Sequence, residues 1–460
     1  MAAYPSLLRG VLPAEGAPRA LPLVGHALAM ARDPLGLVLR LGQQGEVAPL
    51  RLGSVRAHLV ASAAGSEAVL RSQAKHYSRQ TRVWSVLRMF LGDSILLTEG
   101  PQWKSQRRVV NPAFHRRRLM AFADTMRTET DAMLAGWRDG QSLDVADAMM
   151  HLTLRIVSQT LFGTTTEADA KVIASAVDRG QRYAEASMSG LNVVPVQVPT
   201  PRNRAFLRAI ADLDRVALRL IQTRREELEA GGAGDDVLTM LLEARTEDGE
   251  PLPEKQVRDE VITLLSAGHE TTANALAWTF YRLSRHPEVL RTLTAQIDEA
   301  LGGEAPTPET ISRVPYARWV FDEALRVHPP AWITGRLVKE PHTLLGVAMR
   351  PGDVALVSPY VVHRQARYFP NPEGFDPARW ETLSQPKALP PFAFFPFGGG
   401  PRKCIGEAFA YLEALLVLIR VLQRFELELV PGHPVVPSPQ ITLGLAQGLR
   451  MTLRSRAKSP

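Results

Sequence analysis

The sequence predicts a mainly α-helical protein with a small β-rich lobe, an α+β fold. Apolar residues recur at helical spacing through five stretches, 101–162, 201–230, 254–286, 317–328 and 406–424. Short alternating segments lie toward the two ends of the chain. No stretch has the composition of a linker between independent folds. We therefore expect residues 1–460 to form a single domain.

The β-rich part is predicted mainly from two regions. Residues 46–62 have the pattern of a hairpin that turns at Gly53 and Ser54. Residues 425–455 contain the alternating segments FELELV, ITLGL and LRMTLRS. The chain between them, from about 101 to 425, is expected to supply the helical core.

The longest helical stretch begins after Pro253 and ends at His286-Pro287. Its residues are apolar on most faces, which predicts a helix that runs through the core. Its middle nevertheless reads AGHETT, residues 267–272. Polar residues and a glycine at the centre of a buried helix are costly unless they have partners or a function.

Composition excludes several classes of protein. The chain is 45% hydrophobic and 22% charged, with a net charge of +7. Its arginines are spread along amphipathic helices rather than clustered with aromatic residues, so we expect no nucleic-acid partner. No apolar run reaches the ~20 residues of a membrane span, and the first residues lack the pattern of a signal peptide. With one cysteine and no disulfide framework, the sequence predicts a cytoplasmic protein without a transmembrane anchor.

That one cysteine, Cys404, lies in the loop FGGGPRKCIG before a long helical segment. It could be a small buried hydrophobic residue, a nucleophile or a single metal ligand. The glycines and Pro401 favour a tight loop, and the following helix would offer backbone N–H groups that stabilise a thiolate. No base stands beside Cys404, whereas Arg402 could pair with a carboxylate. The pattern favours an axial ligand of haem.

Four motifs in this order resemble those of the cytochrome P450 family. They are AGHETT (267–272), EALR (323–326), FDPARW (375–380) and the cysteine loop. The resemblance extends over essentially the whole chain. It implies a cytochrome P450 fold in which a long central helix crosses the haem, with haem b as cofactor and Cys404 as the proximal iron ligand. It also implies that Phe397 packs beside the ligand and that Gly406 contributes a backbone N–H near the sulfur.

Further residues receive roles from the resemblance. Glu323 and Arg326 lie at i and i+3 of one helix, where they can pair, and the resemblance adds Arg379 as the third member of a structural cluster. Trp103 and Arg107, at i and i+4, match a family pattern that holds a haem propionate. Arg402 and Arg336 are the other propionate candidates. The alternative for Arg107 is a solvated helix arginine.

The polar centre of the long helix matches the acid–alcohol pair of the family. Thr271 would hold a hydrogen-bond chain and Glu270 would relay protons from water. Ala267 and Gly268 would border the haem, with Gly268 leaving room for dioxygen. The expected substrate pocket is apolar, although its residues could equally be ordinary core; it comprises Met89, Leu96, Leu264, Trp332 and Ile333.

The function implied by this resemblance is that of a haem-thiolate monooxygenase. It would hydroxylate or epoxidise a lipophilic molecule with O2; a fatty acid or terpenoid is favoured and a polyketide is possible. Electrons would come from a separate ferredoxin or flavodoxin with its reductase. Six basic residues are candidates for the docking face, namely Lys104, Arg108, Arg116, Arg117, Arg118 and Lys403. The alternatives are a haem-thiolate peroxygenase or isomerase, and a haem-based sensor that catalyses nothing.

Overall fold

The computed structural model describes residues 20–163, 167–188, 194–232, 236–246 and 248–456. Residues 1–19, for which the sequence predicts no signal peptide, lie outside this part of the chain. The described residues are mainly helical, as predicted. Their α-helices are α1 (Ala27–Arg32), α2 (Pro34–Gly42), α3 (Ala63–Glu67), α4 (Arg82–Leu91), α5 (Gly100–Val110), α6 (Arg116–Ala135), α7 (Val145–Phe162), α8 (Glu167–Met188), α9 (Pro201–Glu229), α10 (Val237–Glu243), α11 (Glu254–Arg285), α12 (Pro287–Leu301), α13 (Pro315–Val327), α14 (Pro359–Val362), α15 (Arg379–Leu383) and α16 (Glu407–Arg424).

Short strands complete the described elements. They are β1 (Val47–Leu52), β2 (Val55–Val60), β3 (Tyr77–Ser78), β4 (Ser142–Asp144), β5 (Thr334–Val338), β6 (His342–Leu344), β7 (Val347–Met349), β8 (Val354–Val357), β9 (Phe425–Leu429), β10 (Pro437–Pro439), β11 (Leu443–Leu445) and β12 (Arg450–Ser455). A five-stranded sheet has the order β1-β2-β8-β5-β3, and a three-stranded sheet has the order β4-β12-β9. The pairs β10-β11 and β6-β7 form two small sheets.

The predicted hairpin and the C-terminal strands are present, but the β-rich part is larger than predicted. Strands from residues 334–357 lie inside the stretch expected to be helical, and β8 pairs in parallel with β2 of the hairpin. The predicted helical stretch 101–162 is also interrupted, because α5, α6 and α7 are separate and β4 lies between the last two. These strands are only three to five residues long. Strands β8 and β4 pair with β2 and β12, which are distant in the sequence, whereas β6 and β7 pair with each other as a local hairpin.

The central helix α11 is buried along most of its length. It packs against α7 on one side and also contacts α9, α13 and α16. Helix α16, which follows the cysteine loop, packs against α6. These helices share one large hydrophobic cluster, whereas the five-stranded sheet packs in two smaller ones. Helix α11 and the cysteine loop are therefore both attached to the main core.

Candidate active site

The cysteine loop is a tight turn held by its own backbone. The N–H of Cys404 donates to the carbonyl of Phe397 at 3.0 Å, and the N–H of Lys403 donates to that of Gly400 at 3.1 Å. Gly400 has a φ of +67°, and an added Cβ would overlap the carbonyl oxygen of Leu70. A residue with a side chain would therefore be strained there and would also displace a neighbouring segment. The ring of Phe397 lies 5.1 Å from that of Tyr411 on α16, which ties the loop to the following helix.

The thiol of Cys404 faces an enclosed space. The side chain is exposed by its accessible area, yet enough protein surrounds it that burial raises the pKa of the thiol. These two facts together describe a side chain on the wall of an internal cavity. The backbone N–H of Gly406 and the charges of Arg107 and Lys403 act in the opposite direction. The expectation that the helix terminus alone would favour a thiolate is thus incomplete, because burial outweighs it and a bound cation would be needed to deprotonate the sulfur.

A cluster of guanidinium groups lies next to this loop. Burial lowers the pKa of Arg336 and of Arg402 to about 10 each, and the pKa of Arg79 is lowered further by burial and by repulsion from these two. All three line a cavity of about 290 Å³ together with Lys75, Lys339 and Glu99.

Among the described residues, Glu99 is the one acid lining this cavity, and its charge offsets only part of the positive charge of the three guanidinium groups. The carboxylate of Glu99 accepts hydrogen bonds from the hydroxyl of Ser78 at 2.9 Å and from the backbone N–H of Arg79 at 2.6 Å. The Nε of Arg79 is buried without a hydrogen-bond partner among the described residues. A buried excess of positive charge with an unused donor is suited to an anionic ligand.

Helix α5 contacts the cysteine loop through Trp103 and Arg107, the two residues of this helix that were predicted to hold a haem propionate. Arg107 donates to the carbonyl of Lys403 at 3.1 Å, so it is not simply solvated. The ring of Trp103 lies under the guanidinium of Arg402, whose carbon is 4.1 Å from the ring centroid. Arg402 itself donates to the carbonyls of Thr98 at 2.6 Å and Ile95 at 3.3 Å. The cysteine loop is thereby joined to the segment that precedes α5.

The predicted three-residue cluster is assembled in the core. Arg326 donates to both carboxylate oxygens of Glu323 at 2.8 and 2.9 Å, and Arg379 donates to the same carboxylate at 3.1 Å. The side chains of Glu323 and Arg326 are both 0% exposed. The indole of Trp380 also donates to Glu323, at 3.0 Å, which the sequence analysis missed. Arg326 further holds the carbonyls of His363, Pro372 and Gly374, so the cluster fixes the chain that leads toward the cysteine loop.

The centre of α11 borders a cavity. Ala267 is exposed and Thr271 is half-buried, although the helix is buried on both sides of them. The hydroxyl of Thr271 donates to the carbonyl of Ala267 at 2.9 Å. Neighbouring His269 is buried, with its Nδ1 2.8 Å from the carbonyl of Leu265, and burial lowers its pKa. The most accessible residue of this turn is thus the small Ala267, and Thr271 and Glu270 are half-buried beside it.

Two expectations about this turn need correction or extension. An added Cβ on Gly268 would lie 2.7 Å from Cγ2 of Val157, so this glycine allows α11 to pack on α7 and does not provide the predicted room for dioxygen. Glu270 accepts a short hydrogen bond from the hydroxyl of Thr442, and Asn274 donates to that hydroxyl at 3.2 Å. Thr442 lies in the turn between β10 and β11, which no sequence pattern connects with α11.

The predicted pocket residues separate into different places. Met89 is 41% exposed and lines a charged surface cleft with Arg88, Asp93 and Arg258, so its assignment to an apolar pocket is wrong. The helical period of α4 turns Phe90 inward instead. Leu264 is buried in the main cluster, and Leu96 is half-buried against it.

The Trp332-Ile333 turn packs against the sheet. Trp332 is buried in a cluster with residues of α2, β1 and β2, and its indole donates to the carbonyl of Gln440 at 2.8 Å. Ile333 is half-buried against the same cluster. The structure therefore gives Trp332 the contacts of a core residue.

Comparison with known proteins identifies the family. The family model described as Cytochrome P450 matches residues 16–450. The chain is 36% identical over 442 residues to cyclooctatin synthase of Streptomyces melanosporofaciens, covering 95% of this chain and 94% of that protein. It is 35% identical over 421 residues to cyclooctat-9-en-7-ol 5-monooxygenase of the same organism, covering 90% of each. It is 32% identical over 448 residues to pentalenene oxygenase of Streptomyces avermitilis, covering 96% of this chain and 97% of that protein.

The chain belongs to the cytochrome P450 family. It is a monooxygenase of that family, with haem b as its cofactor, and it uses O2, a small-molecule substrate and electrons from a redox partner. In the part of the chain that the structure describes, no helix has the length and apolarity needed to cross a membrane.

Proposed function

We propose that this monooxygenase oxidises a cyclic terpenoid. The observation that carries the proposal is that the three bacterial relatives match at least 90% of the chain, and two of them are named for cyclooctat-9-en-7-ol and pentalenene. The pocket candidates Leu96, Leu264 and Ala267 are uncharged, which suits a hydrocarbon skeleton better than the carboxylate of a fatty acid.

The residues of the site suit haem. Haem has two propionates that must be neutralised where they are buried. Arg336 is buried and Arg79 and Arg402 are half-buried, and the three form a cluster of cations in which the Nε of Arg79 is an unused donor. We assign the propionates to these three residues, with Arg107 and Trp103 supporting the loop. Cys404, on the wall of a cavity, would be the iron ligand. Phe397 would pack beside it, and Gly406 would direct its N–H to the sulfur.

Bound haem supplies the iron at which O2 is activated. The chain must then deliver protons to the cavity and exclude bulk water. Thr271 is the proposed donor because its hydroxyl reaches the accessible turn of α11. Its hydrogen points to the carbonyl of Ala267 in this structure, and rotation about Cα–Cβ would direct it into the cavity.

Glu270 would bring protons to this turn from the other side of the helix. Its carboxylate is half-buried and accepts from Thr442, so the acid has a defined position between the cavity and the protein surface. Asn274 in turn donates to Thr442 and fixes that hydroxyl. We therefore add Thr442 to the predicted acid–alcohol pair as the residue that positions Glu270.

The cluster of Glu323, Arg326 and Arg379 has a structural role in this proposal. It is buried, and a substitution that removes one partner would leave an uncompensated charge. We expect such a substitution to cost the fold and the haem together. We also propose that residues 1–460 act as a single domain, since α11, α13 and the cysteine loop all contribute to the large hydrophobic cluster.

The proposed redox partner is a separate ferredoxin or flavodoxin. Lys104 on α5, Arg116 and Arg117 on α6, and Lys403 in the cysteine loop are exposed. Arg107 attaches α5 to the cysteine loop. Arg108 is exposed and Arg118 is half-buried. An acidic partner docked there would approach the cysteine side of the site, and turnover should then weaken as ionic strength rises. The single cysteine requires no oxidising compartment, which is the ground for proposing a cytoplasmic location.

Spectral titration of the ferric protein tests the substrate class. Pentalenene and lauric acid are added separately, and displacement of water from the distal side converts low-spin haem to high-spin. We expect the cyclic terpene to produce the shift at a concentration at least about tenfold lower, the ratio given by 1.4 kcal/mol of differential binding. A response to lauric acid alone would overturn the terpenoid assignment and leave the family unaffected.

The role of Thr271 is tested by Thr271→Ala with Thr271→Ser as the matched control. Loss of the hydroxyl should lower product formed per NADPH consumed by about tenfold or more, with hydrogen peroxide released instead. The serine variant keeps the hydroxyl and should retain most of the coupling. Unchanged coupling in the alanine variant would require another proton route.

A further inference from the structure

The irregular segment 93–98, between α4 and α5, is held by side chains from three surrounding elements. Asp259 of α11 accepts from the N–H of Asp93 at 2.8 Å, and Thr263 of α11 donates to the hydroxyl of Ser94 at 2.7 Å. Gln106 of α5 donates to the carbonyl of Asp93 at 2.7 Å, and Arg88 of α4 donates to that of Leu97 at 2.7 Å. A segment without regular structure therefore has a fixed conformation.

The Ile95 peptide lies at the centre of this arrangement. Both oxygens of the Glu260 carboxyl accept from the N–H of Ile95, at 3.0 and 3.1 Å. On the other side, Arg402 of the cysteine loop donates to the carbonyl of Ile95 at 3.3 Å. One residue of the segment is thus held between the central helix and the cysteine loop. The next residue, Leu96, is a pocket candidate.

Two adjacent acids of α11 hold the segment in different ways. Asp259 is neutralised by Lys255 at 2.7 Å and by Arg258 at 2.8 Å. Gly92 has a φ of +68°, and an added Cβ would overlap the Asp259 carboxylate, so the chain must enter the segment at a glycine. Glu260 is 1% exposed, and its hydrogen bonds go to a neutral peptide instead of to a cation.

We propose that Glu260 is a positioning residue of the substrate pocket, which holds the Ile95 peptide against Arg402 and thereby fixes Leu96 for the substrate. The inference rests on the proposed function, in which Leu96 of this segment is a residue of the substrate pocket. Glu260 does not touch the reacting atoms. It acts through the backbone of the segment, and so determines how tightly a bulky ligand is enclosed.

The titration of Glu260 gives this role a pH dependence. Burial raises the pKa of Glu260 to about 8, and the charge of Asp259 adds to the rise while the Ile95 N–H opposes it. The other charged groups of the surrounding elements are Lys255 and Arg258 on α11, Asp93 in the segment, Arg88 on α4 and Arg402 in the cysteine loop. If the segment opened and Glu260 became hydrated, the pKa of Glu260 would return to its usual value of 4.5. Between pH 4.5 and about 8, a rise in pH therefore favours the open segment.

The test compares two azoles on the ferric holoenzyme. Imidazole is small enough to bind the iron without filling the pocket, whereas 4-phenylimidazole must be enclosed by the pocket wall. Glu260→Ala leaves the buried N–H of Ile95 without an acceptor, and we expect about a tenfold loss of affinity for 4-phenylimidazole with little change for imidazole. Glu260→Gln keeps a carbonyl acceptor and should restore the affinity. Glu254→Ala, at the exposed start of α11, is the matched control.

Hydrogen exchange of the peptide covering 93–98 provides the second measurement. In the wild-type holoenzyme, exchange corrected for its intrinsic rate should increase between pH 6 and about 8, following the titration of Glu260. Glu260→Gln should remove this pH dependence. This comparison remains informative even if Glu260→Ala fails to fold.

Each outcome decides the inference. Equal losses for both azoles in Glu260→Ala, or loss of haem with them, would mean a merely structural role and overturn it. An unchanged pH profile in Glu260→Gln would overturn it as well. Failure of the wild-type protein to bind either azole would instead refute the proposed haem site, and hydrogen exchange would still decide whether Glu260 holds the segment.

Discussion

Arg79 has a guanidinium whose Nε is buried without a hydrogen-bond partner among the described residues, and Glu99 is the acid whose charge acts on it. The pKa of Arg79 is lowered well below the usual value, first by burial and then by Arg336 and Arg402. Its guanidinium carbon lies 4.2 Å from the centroid of the Trp84 ring, so the side chain is packed even though its Nε has no partner. The residue costs stability in the absence of a ligand and is useful only when an anion binds.

Arg79→Met should therefore change two properties in opposite directions. Methionine can retain the contact with Trp84 and removes a buried charge, so the haem-free protein should gain on the order of 1 kcal/mol in its free energy of unfolding. The holoenzyme should lose haem to an acceptor such as apomyoglobin at least about tenfold faster, because a charge-assisted hydrogen bond is lost. Urea unfolding and haem-transfer kinetics measure the two effects. Arg225→Met, at a surface ion pair, should change neither, and a less stable haem-free Arg79→Met would contradict the interpretation.

At the scale of elements, the contact between α7 and α11 depends on one glycine. Val157 is β-branched and cannot easily move away from a Cβ at position 268, where the separation would be 2.7 Å. Alanine at that position would gain up to about 1 kcal/mol in helix propensity but lose about 1–3 kcal/mol to overpacking.

This balance predicts a change of sign in a double-mutant cycle. Gly268→Ala should destabilise the wild-type protein and stabilise the Val157→Ala variant, with a coupling free energy of about 1–2 kcal/mol. Denaturant unfolding of the four proteins measures it. If Gly268→Ala stabilised both backgrounds equally, the close approach of the two helices would not be the reason for the glycine.

Elements defined by local patterns were predictable from the sequence. The central helix was expected at 254–286 and is Glu254–Arg285, and the helix after the cysteine was expected at 406–424 and is Glu407–Arg424. Both have a long stretch of apolar residues at helical spacing. Proline lies at both ends of the central helix, and Gly406 precedes the helix after the cysteine. The pairing of Glu323 with Arg326 follows from the same helical geometry.

The residues that were missed depend on contacts between distant parts of the chain. Arg79 reaches Arg336 because β3 pairs with β5, and neither two-residue β3 nor its register has a signature in the sequence. Glu260 and Ile95 are 165 positions apart, and Glu270 and Thr442 are 172 apart. A propensity or period reports only on neighbours along the chain. For the same reason Met89 was misassigned, since its exposure depends on which face of α4 meets the core.

For the molecule as a whole, buried titratable groups act on stability in two opposing sets. Burial lowers the pKa of His269, His328 and His363. Below about pH 6.5 these histidines therefore bind more protons in the unfolded protein than in the folded protein, and the stability of the fold rises with pH up to about 6.5. Burial raises the pKa of Glu260, Asp322 and Glu413, so these acids bind more protons in the folded protein than in the unfolded protein. Stability therefore falls as the pH rises above the pKa values of these acids in the unfolded protein, which are near 4. The two sets oppose one another below pH 6.5. Above that pH only the acids act, and Glu260 does so up to about pH 8.

Stability should therefore decline from pH 6.5 toward pH 8, and Glu413 offers the sharpest test. It is 0% exposed on α16, and burial raises its pKa well above the usual value, while the hydroxyl of nearby Thr272 acts in the opposite direction. Glu413→Gln cannot ionise, so the decline above pH 6.5 should become shallower by up to about 1.4 kcal/mol per pH unit. Urea unfolding of the holoenzyme at pH 6.5, 7.25 and 8 measures the slope, with exposed Glu428→Gln as the control. An unchanged slope would mean that Glu413 is ionised in the folded protein and that a partner for its charge exists.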